Sequence, residues 1–366
     1  MFSNNEKISL RQMQILVIMY LFGSNIISLP ATVTELGKRG WWLILIGIFA
    51  LTLLYAGILN SLAKMFENET IVEYGKRLLP KVLYFIVIIG LVFKLTLDVS
   101  MEIRTFSEIV KEHILYETPS EVVVFTLLLI SAYMARSGIE AEARMGELLV
   151  IILIPLVIIF LIVAFQVDYV NLRPIFEFSK KDIFNGIKET AFVFNSLEFI
   201  LFLYPTVIKK KEAGSSLFTA LILIFAVDFV ITLLTIAHFG IVDVQHHIWP
   251  VMQMLQSINF PNAIFERVDI FINTFWILSI FMYTSINLYI ISNIFARLRK
   301  TSKTYLFVLP LLPIIYIIAF LPKNLIDNYE AIKRTNFFTG SLYLIIIPVI
   351  LLAIAKLKGR RAKSEG

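Results

Sequence analysis

The sequence predicts an all-α integral membrane protein with ten transmembrane helices, and three observations support this class. Of the 366 residues, 58% are hydrophobic and only 16% are charged, and the mean hydropathy is +0.82. A soluble chain of this length could not bury so much apolar surface. Apolar runs of about 17 to 25 residues, which suit a bilayer core about 30 Å thick, recur as far as the C-terminus.

The bounds of the ten spans follow from these apolar runs and from the charged and Pro-containing connections between them. The predicted spans are approximately 10–35, 42–63, 82–104, 121–136, 147–166, 185–206, 215–238, 268–295, 305–321 and 337–355. We therefore treat residues 1–366 as a single polytopic domain with a short C-terminal tail at 356–366.

The Lys and Arg residues in the connections predict the orientation. Twenty of them lie on the side that carries both termini, and eleven lie on the other side. Because cytoplasmic connections carry the excess of basic residues, both termini and the tail are predicted to be cytoplasmic. The net charge of +6 is thus a signal of topology, so we expect membrane lipid and no nucleic acid as a partner.

The first span contains an interruption in its middle. Gly23, Ser24 and Asn25 disfavour a lipid-facing helix, since Gly lowers helix stability and the other two side chains compete for backbone hydrogen bonds. Pro30 then removes one further hydrogen bond. A broken backbone within a membrane needs protein or a water-filled cavity to satisfy it, so this segment is a candidate binding site. The alternative is a proline-kinked helix whose polar side chains bond to a neighbour.

The sixth span has a second interruption at Asn195 and Ser196, followed by Glu198 and Pro205. It lies about 170 residues after the first, and interrupted helices in corresponding positions of two halves indicate a midplane site in inverted-repeat transporters. We therefore expect two repeats, at about 10–166 and about 185–355. Five spans per repeat require the second copy to be inverted.

Charged residues inside the third span lie on one helix face. Lys94, Asp98 and Glu102 are spaced four apart, and a single charge at the bilayer centre costs about 2.5 to 3.5 kcal/mol. Lys94 and Asp98 are expected to neutralise each other, either as a gate or proton-linked pair or as a static ion pair. Glu102 is near the end of the span and is expected to be solvated.

Glu198 differs from these residues because no basic residue lies within one helical turn of it. An unpaired carboxyl at membrane depth suits proton coupling or the binding of an ammonium group. The alternative is a carboxyl that is protonated or hydrogen-bonded to the backbone.

The eighth span contains a group of polar residues in little more than one turn. Thr284, Ser285, Asn287 and Tyr289 make up this group, and Ser285 and Tyr289 share one face. These residues suit either ligand binding or hydrogen bonds between helices.

Several enzyme and metal motifs are missing from the sequence. It has no H-E-x-x-H, no G-x-S-x-G and no Walker loop, and His246 with His247 is too small a set for a metal site. We therefore predict that the chain is not an enzyme and that it has neither a cofactor nor a metal.

Several sequence stretches, in this order, resemble one family, the permease-like B subunit of bacterial spore germinant receptors. They are GSNIISLP, ELGKRGWW, KMFENETIVEYGKRLLPK, ETPSEVV, GIEAEARMGELL, WPVMQMLQSI and FERVDIFINTFWILSIF. The resemblance implies membership of the amino acid–polyamine–cation superfamily, with a LeuT-type fold of two inverted five-helix repeats. It also implies an A-type membrane subunit and a C-type lipoprotein as partners in the inner membrane of the spore.

The same resemblance implies a germinant pocket between the first, sixth and eighth helices. It places ligand contacts at Gly23, Ser24 and Asn25, at Glu198, and at Ser285 with Tyr289. The family usually has Gly directly before the acid that corresponds to Glu198. This chain has Leu197 there, and its larger side chain narrows the site. Two functions fit this pocket, a receptor subunit that binds a germinant such as an amino acid, and a secondary amino-acid transporter that is proton-coupled in some relatives.

Overall fold

A computed structural model describes residues 6–174, 176–193, 196–257 and 269–364. Within these ranges the secondary structure is helical, apart from an isolated parallel β-bridge between Ile8 and Val207. The α-helices are α1 Leu10–Asn25, α2 Leu29–Gly37, α3 Trp41–Met65, α4 Ile71–Leu78, α5 Lys81–His113, α6 Ser120–Ala135, α7 Ile139–Leu149, α8 Leu153–Gln166, α9 Lys180–Glu189, α10 Ile200–Leu203, α11 Lys210–Phe239, α12 Pro250–Ser257, α13 Asp269–Leu298, α14 Leu311–Ala319, α15 Leu325–Gly340 and α16 Ile347–Ser364.

The apolar helices fit an integral membrane protein. Six helical runs are long and apolar enough to cross a bilayer, and three shorter apolar helices accompany them. The six runs are Leu29–Met65, Lys81–His113, Ile139–Gln166, Lys210–Phe239, Asn273–Leu298 and Leu325–Lys358, and the shorter ones are Leu10–Phe22, Ser120–Ala135 and Leu197–Thr206. Large apolar side chains such as Phe165 (91% exposed) and Val82 (73% exposed) cover the outside, where lipid would meet them. The count of ten spans stays a prediction.

The first interruption lies slightly later than the sequence predicted. Helix α1 begins with a capping box between Ser9 and Gln12 and continues through Asn25, and the turn is at 26–28. The shift has a local cause, because Pro30 has no N–H to donate to the carbonyl of Ile26, and proline is well tolerated in the first turn of the helix that follows. Helix α2 then begins beside Pro30.

The second interruption separates α9 from α10. Helix α9 ends at Glu189, residues 190–193 form turns, and the chain resumes as a 3₁₀ turn at Leu197–Phe199 before α10. Asn195 lies outside the described residues. A second 3₁₀ turn, Tyr204–Thr206, includes Pro205.

The centre of the molecule is formed by α1 and α13. Helix α1 packs against α11, α13 and α7, and α13 also contacts α5 and α6. The most apolar stretch of α13 is 83% buried, which is a much larger share than in the peripheral helices. A helix that is buried on all sides can carry polar residues only where neighbouring helices satisfy them.

The end of the molecule that carries residue 6, which we call the N-terminal end, is closed by main-chain and side-chain contacts. The N–H of Ile8 donates to the carbonyl of Thr206 at 2.9 Å, and the N–H of Ile208 donates to the carbonyl of Ile8 at 3.0 Å. Arg297 at the end of α13 forms an ion pair with Glu73 of α4 at 2.6 Å. The predicted C-terminal tail is helical through Ser364 as the continuation of α16.

Candidate functional site

A cavity of about 1030 Å³ lies at the opposite end of the molecule, which we call the cavity end. Residues from both interruptions line it, with Ile27 and Ser28 from the first and Thr190 and Val193 from the second. The volume matches the upper range of small-molecule sites. The two interrupted helices therefore meet at the same cavity.

The cavity wall carries charges of both signs. Its charged side chains are Glu35, Glu102, Lys188, Glu189, Lys333 and Arg334. Lys333 and Glu189 form an ion pair at 2.8 Å across the wall, with both side chains still substantially exposed. Glu102 is partly buried and lies on the wall of this cavity.

A buried ion cluster links α5, which is the third predicted span, to the second interruption. The Nζ of Lys94 contacts Oδ2 of Asp98 at 2.6 Å, as the four-residue spacing predicted, and it also forms an ion pair with Oε1 of Glu198. The side chains of Lys94, Asp98 and Glu198 are 0%, 6% and 2% exposed. One ammonium group thus faces two carboxyl groups, and the second oxygen of Glu198 has no hydrogen bond among the described residues.

The prediction that Glu198 is unpaired was wrong. It considered only residues within one helical turn. Lys94 is 104 positions away along the chain and reaches Glu198 from α5, which packs beside it. A charge this deeply buried requires a partner, and α5 supplies it. The predicted contact between Lys94 and Asp98 is present, and Glu198 joins it.

Aromatic and amide side chains surround this cluster, and the sequence had not indicated most of them. Tyr20 of α1 stacks on Phe199 with ring centroids 4.1 Å apart, and its ring also contacts Tyr283 of α13 at 4.7 Å. The Tyr20 hydroxyl donates to Oδ1 of Asn287 at 3.1 Å. Ser196 lies beside the hydroxyls of Tyr20 and Tyr283. The first, third, sixth and eighth spans therefore converge on one buried polar region, which we call the central cluster.

The remaining predicted residues of the eighth span are Thr284, Ser285 and Tyr289. Ser285 donates to Oε2 of Glu142 in α7 at 2.7 Å, and the hydroxyl of Tyr289 accepts a bond from Asn293 at 3.4 Å. Thr284 is fully buried, and its hydroxyl has no hydrogen bond among the described residues. Glu142 had not been singled out, because Glu140 and Arg144 lie two positions away on either side and the segment is charged in the sequence.

Other predicted site residues are only partly described. The backbone of Gly23, Ser24 and Asn25 forms the last turn of α1, but their side chains lie outside the described part of the chain. Among the residues that the structure describes, no group of three or more His, Cys, Asp or Glu side chains is arranged to hold a metal ion.

Comparison with known proteins decides the family. A family model described as "Spore germination protein" matches residues 7–328 of this chain. The chain belongs to the spore germination protein family. The resemblance drawn from the sequence motifs is therefore confirmed.

Several relatives from this family align over most of the chain. Spore germination protein YndE of Bacillus subtilis (strain 168) is 30% identical over 99% of this chain and 100% of its own length. Spore germination protein A2 of the same organism is 25% identical over 93% of both chains, and spore germination protein KB is 23% identical over 98% of both.

Proposed function

We propose that this chain is a permease-like germinant-sensing subunit of a spore nutrient receptor. One observation carries the proposal, namely that two interrupted helices meet at a buried polar cluster beneath a cavity of about 1030 Å³. Main-chain groups left unpaired at such interruptions are available to a small polar ligand. Binding there would favour one of two helix arrangements, which partner subunits convert into the germination signal.

We further propose that the helices form ten spans as two inverted five-helix repeats of the LeuT type, at about 10–166 and 185–355. The turn at Lys38, whose φ is +49°, separates α2 from α3, so the run Leu29–Met65 holds the end of one span and the whole of the next. In order, the spans would be α1 with α2, α3, α5, α6, α7 with α8, α9 with α10, α11, α13, α14, and α15 with α16. The interruptions then fall in the first span of each repeat.

The ligand we propose is an amino acid. Its ammonium group would approach the free oxygen of Glu198, since the cluster holds two carboxyl groups for one lysine. Its carboxylate would approach the N-terminal ends of the helices that follow the two interruptions, because helix N-termini carry partial positive charge. We retain Gly23, Ser24, Asn25, Asn195, Ser196, Glu198, Thr284, Ser285 and Tyr289 as proposed contacts and add Tyr20, Tyr283 and Asn287.

We propose an A-type membrane subunit and a C-type lipoprotein as partners, in the inner membrane of the spore. Family membership and the germination relatives support this assignment. The basic residues of the connections support cytoplasmic termini.

Spores in which this chain is the sole B-type subunit provide the test. We expect Glu198→Gln or Asn287→Leu to abolish the germination response to amino acids while the protein still reaches the membrane. The matched control is Glu121→Gln, which alters an exposed carboxyl of α6 and should leave the response unchanged. An unchanged dose–response curve in both test variants would contradict the proposed site.

The second candidate function is a secondary amino-acid transporter, which the buried titratable cluster favours. Purified chain in liposomes would then take up labelled amino acid without partner subunits, and a pH gradient would drive the uptake if protons are coupled. Binding without uptake would support the receptor. Uptake by the chain alone, together with unimpaired germination of spores that lack it, would support the transporter.

A further inference from the structure

The exposed face of α6 is apolar along the helix and meets a basic residue at its end. Phe125, Leu129, Ile130 and Tyr133 recur at helical spacing and are 55%, 45%, 53% and 78% exposed. Arg136 directly follows α6 and is also exposed. It lies about 16 Å along the helix axis from Phe125. One leaflet contributes about 15 Å to the hydrocarbon core, so this face has the depth of a single leaflet.

A second apolar face adjoins the first, because α14 packs beside α6. Four of the apolar side chains before and within α14 leave about half or more of their surface exposed, and these are Leu306, Leu309, Ile314 and Ile317. We call the exposed apolar side chains of α6 and these four residues the α6–α14 face.

Four cations lie where this face reaches the N-terminal end of the molecule. The guanidinium of Arg136 lies over the ring of Tyr305, with its Cζ 6.0 Å from the ring centroid. Arg299, Lys300 and Lys303 are exposed in the connection between α13 and Tyr305. We call Arg136 and these three residues the basic cap.

The basic cap has no internal counter-charge. Residues 122–139 and 297–326, which contain the face and the cap, have neither Asp nor Glu. None of the four cations forms an ion pair among the residues that the structure describes. The cap therefore keeps its positive charge for a group from outside the chain.

The nearest acids beyond these segments already have partners. Glu140, four residues after Arg136, pairs with Arg144. Glu73 of α4 pairs with Arg297, two residues before the cap begins on α13. Neither acid is thus available to neutralise the cap.

The combination of an apolar face and a basic cap matches the chemistry of an anionic phospholipid. A guanidinium binds phosphate oxygens through two parallel N–H groups and also stacks on aromatic rings, and tyrosine favours the level of the headgroups. Clusters of Lys and Arg directly after a membrane helix attract anionic lipid. We propose that an anionic phospholipid of the leaflet at the N-terminal end binds here, with its phosphate at Arg136 and Lys303 and an acyl chain along α6.

This site goes beyond the proposed function and is independent of it. The bound lipid would join α6 to the connection after α13, and both elements pack on α13, which carries Tyr283 and Asn287 of the central cluster. Lipid binding does not require the germinant pocket, however. We therefore expect Glu198→Gln to leave it unchanged, so that failure of this proposal and failure of the proposed function are distinguishable.

The natural absence of cysteine makes a local test possible. Ile130→Cys carries a single fluorophore on the α6–α14 face, about 9 Å along the helix from Arg136. The full chain is placed in nanodiscs of phosphatidylcholine with a minor fraction of phosphatidylglycerol, and either lipid is supplied with brominated chains. The ratio of quenching by the two brominated lipids at equal mole fraction measures the local enrichment of the anionic lipid.

We expect phosphatidylglycerol to be enriched by at least about fivefold, the effect of one basic residue near a membrane surface. Arg136→Gln with Lys303→Gln should remove the enrichment. The matched control, Lys64→Gln with Lys356→Gln, removes two exposed cations from the ends of α3 and α16 and should preserve it. All four positions are exposed, so each variant should keep the fold.

Three results would overturn the proposal. Absence of enrichment in the Ile130→Cys chain would show that no anionic lipid is bound. Equal losses in the two double variants would assign the enrichment to the general surface potential. Displacement of the lipid by inorganic phosphate would indicate a site for a free anion.

A further arm tests whether a protein covers this face in native membranes. A benzophenone attached at Ile130→Cys should form its photoadduct with lipid, and the adduct should decrease in Arg136→Gln with Lys303→Gln. A protein adduct in place of the lipid adduct would overturn the proposal in favour of a partner subunit on the α6–α14 face.

Discussion

The two ends of the molecule differ in how their helices meet. At the cavity end, the segments around both interruptions stand apart and enclose about 1030 Å³. At the N-terminal end, α1, α7 and α13 are in close contact, and a main-chain bridge joins Ile8 to Val207. Both ends are built from the same apolar helices, so hydrophobicity does not explain the difference. The N-terminal end instead has a small residue, Gly146, at a helix contact, and hydrogen bonds that join Ile8 to Thr206 and Ile208.

The contacts of the N-terminal end would have to change in the helix rearrangement proposed above. Residues of both interruptions line the cavity, whereas main-chain hydrogen bonds between Ile8 and the segment 206–208 close the N-terminal end. Any response at the N-terminal end requires breaking contacts such as Arg297–Glu73 at 2.6 Å. The N-terminal end is therefore where helices that switch between two arrangements would be found.

The largest expected effect concerns the ion cluster beneath the cavity. Lys94→Met leaves Asp98 and Glu198 buried without a cation, and we expect the free energy of unfolding to fall by about 3–5 kcal/mol. The matched control is Lys333→Met, because its ion pair with Glu189 lies on the exposed cavity wall (side chains 69% and 42% exposed) and should contribute about 0–1 kcal/mol. Thermal unfolding in detergent measures both. Equal losses in the two variants would contradict the distinction between the buried cluster and the open wall.

A smaller effect is expected for the close contact at the N-terminal end. Gly146→Ala places a methyl group 2.9 Å from Ile15, which is β-branched and stiff, so we expect a loss of about 1–3 kcal/mol in unfolding free energy. Gly57→Ala in α3 is the control, since a methyl group there meets nothing within 4 Å. It should be neutral or stabilising by up to about 1 kcal/mol. If Gly146→Ala were as stable as the control, the N-terminal end would be less tightly packed than described.

The smallest effect concerns the ion pair at the surface of the N-terminal end. Partial burial acts to raise the pKa of Glu73, but hydrogen bonds from Thr70 and Arg297 and the charge of Arg297 outweigh it, so the pKa lies below the ordinary value of 4.5. The carboxylate therefore stabilises the fold above pH 4.5, and this contribution is lost as the pH falls through the lowered pKa.

We expect Glu73→Gln to lower the unfolding free energy by less than about 1 kcal/mol near neutral pH, because both side chains are partly exposed. The difference from the unmodified chain should vanish in acid. Unfolding midpoints at a series of pH values measure this. A difference that persists below the lowered pKa would show that the loss has another cause.

Much of the architecture could be predicted from local features of the sequence. The apolar runs gave the class, Pro30 placed the first interruption within a few residues, and the four-residue spacing of Lys94 and Asp98 gave a contact at 2.6 Å. These features act within one or two helical turns, where geometry is fixed by the helix itself. The family resemblance rested on short motifs and was confirmed over residues 7–328.

The partners of the buried acids were decided by tertiary structure alone. Glu198 has no basic residue within one helical turn in the sequence, and Glu142 was not singled out, yet the first meets Lys94 and the second meets Ser285. Likewise, Tyr20 reaches Asn287 from a position 267 residues away. The sequence by itself determined that this protein would consist of membrane helices with two interruptions, because helix stability and hydropathy are local. The rotation and depth at which those helices pack decided which polar groups meet, and these depend on the shapes of side chains from distant parts of the chain.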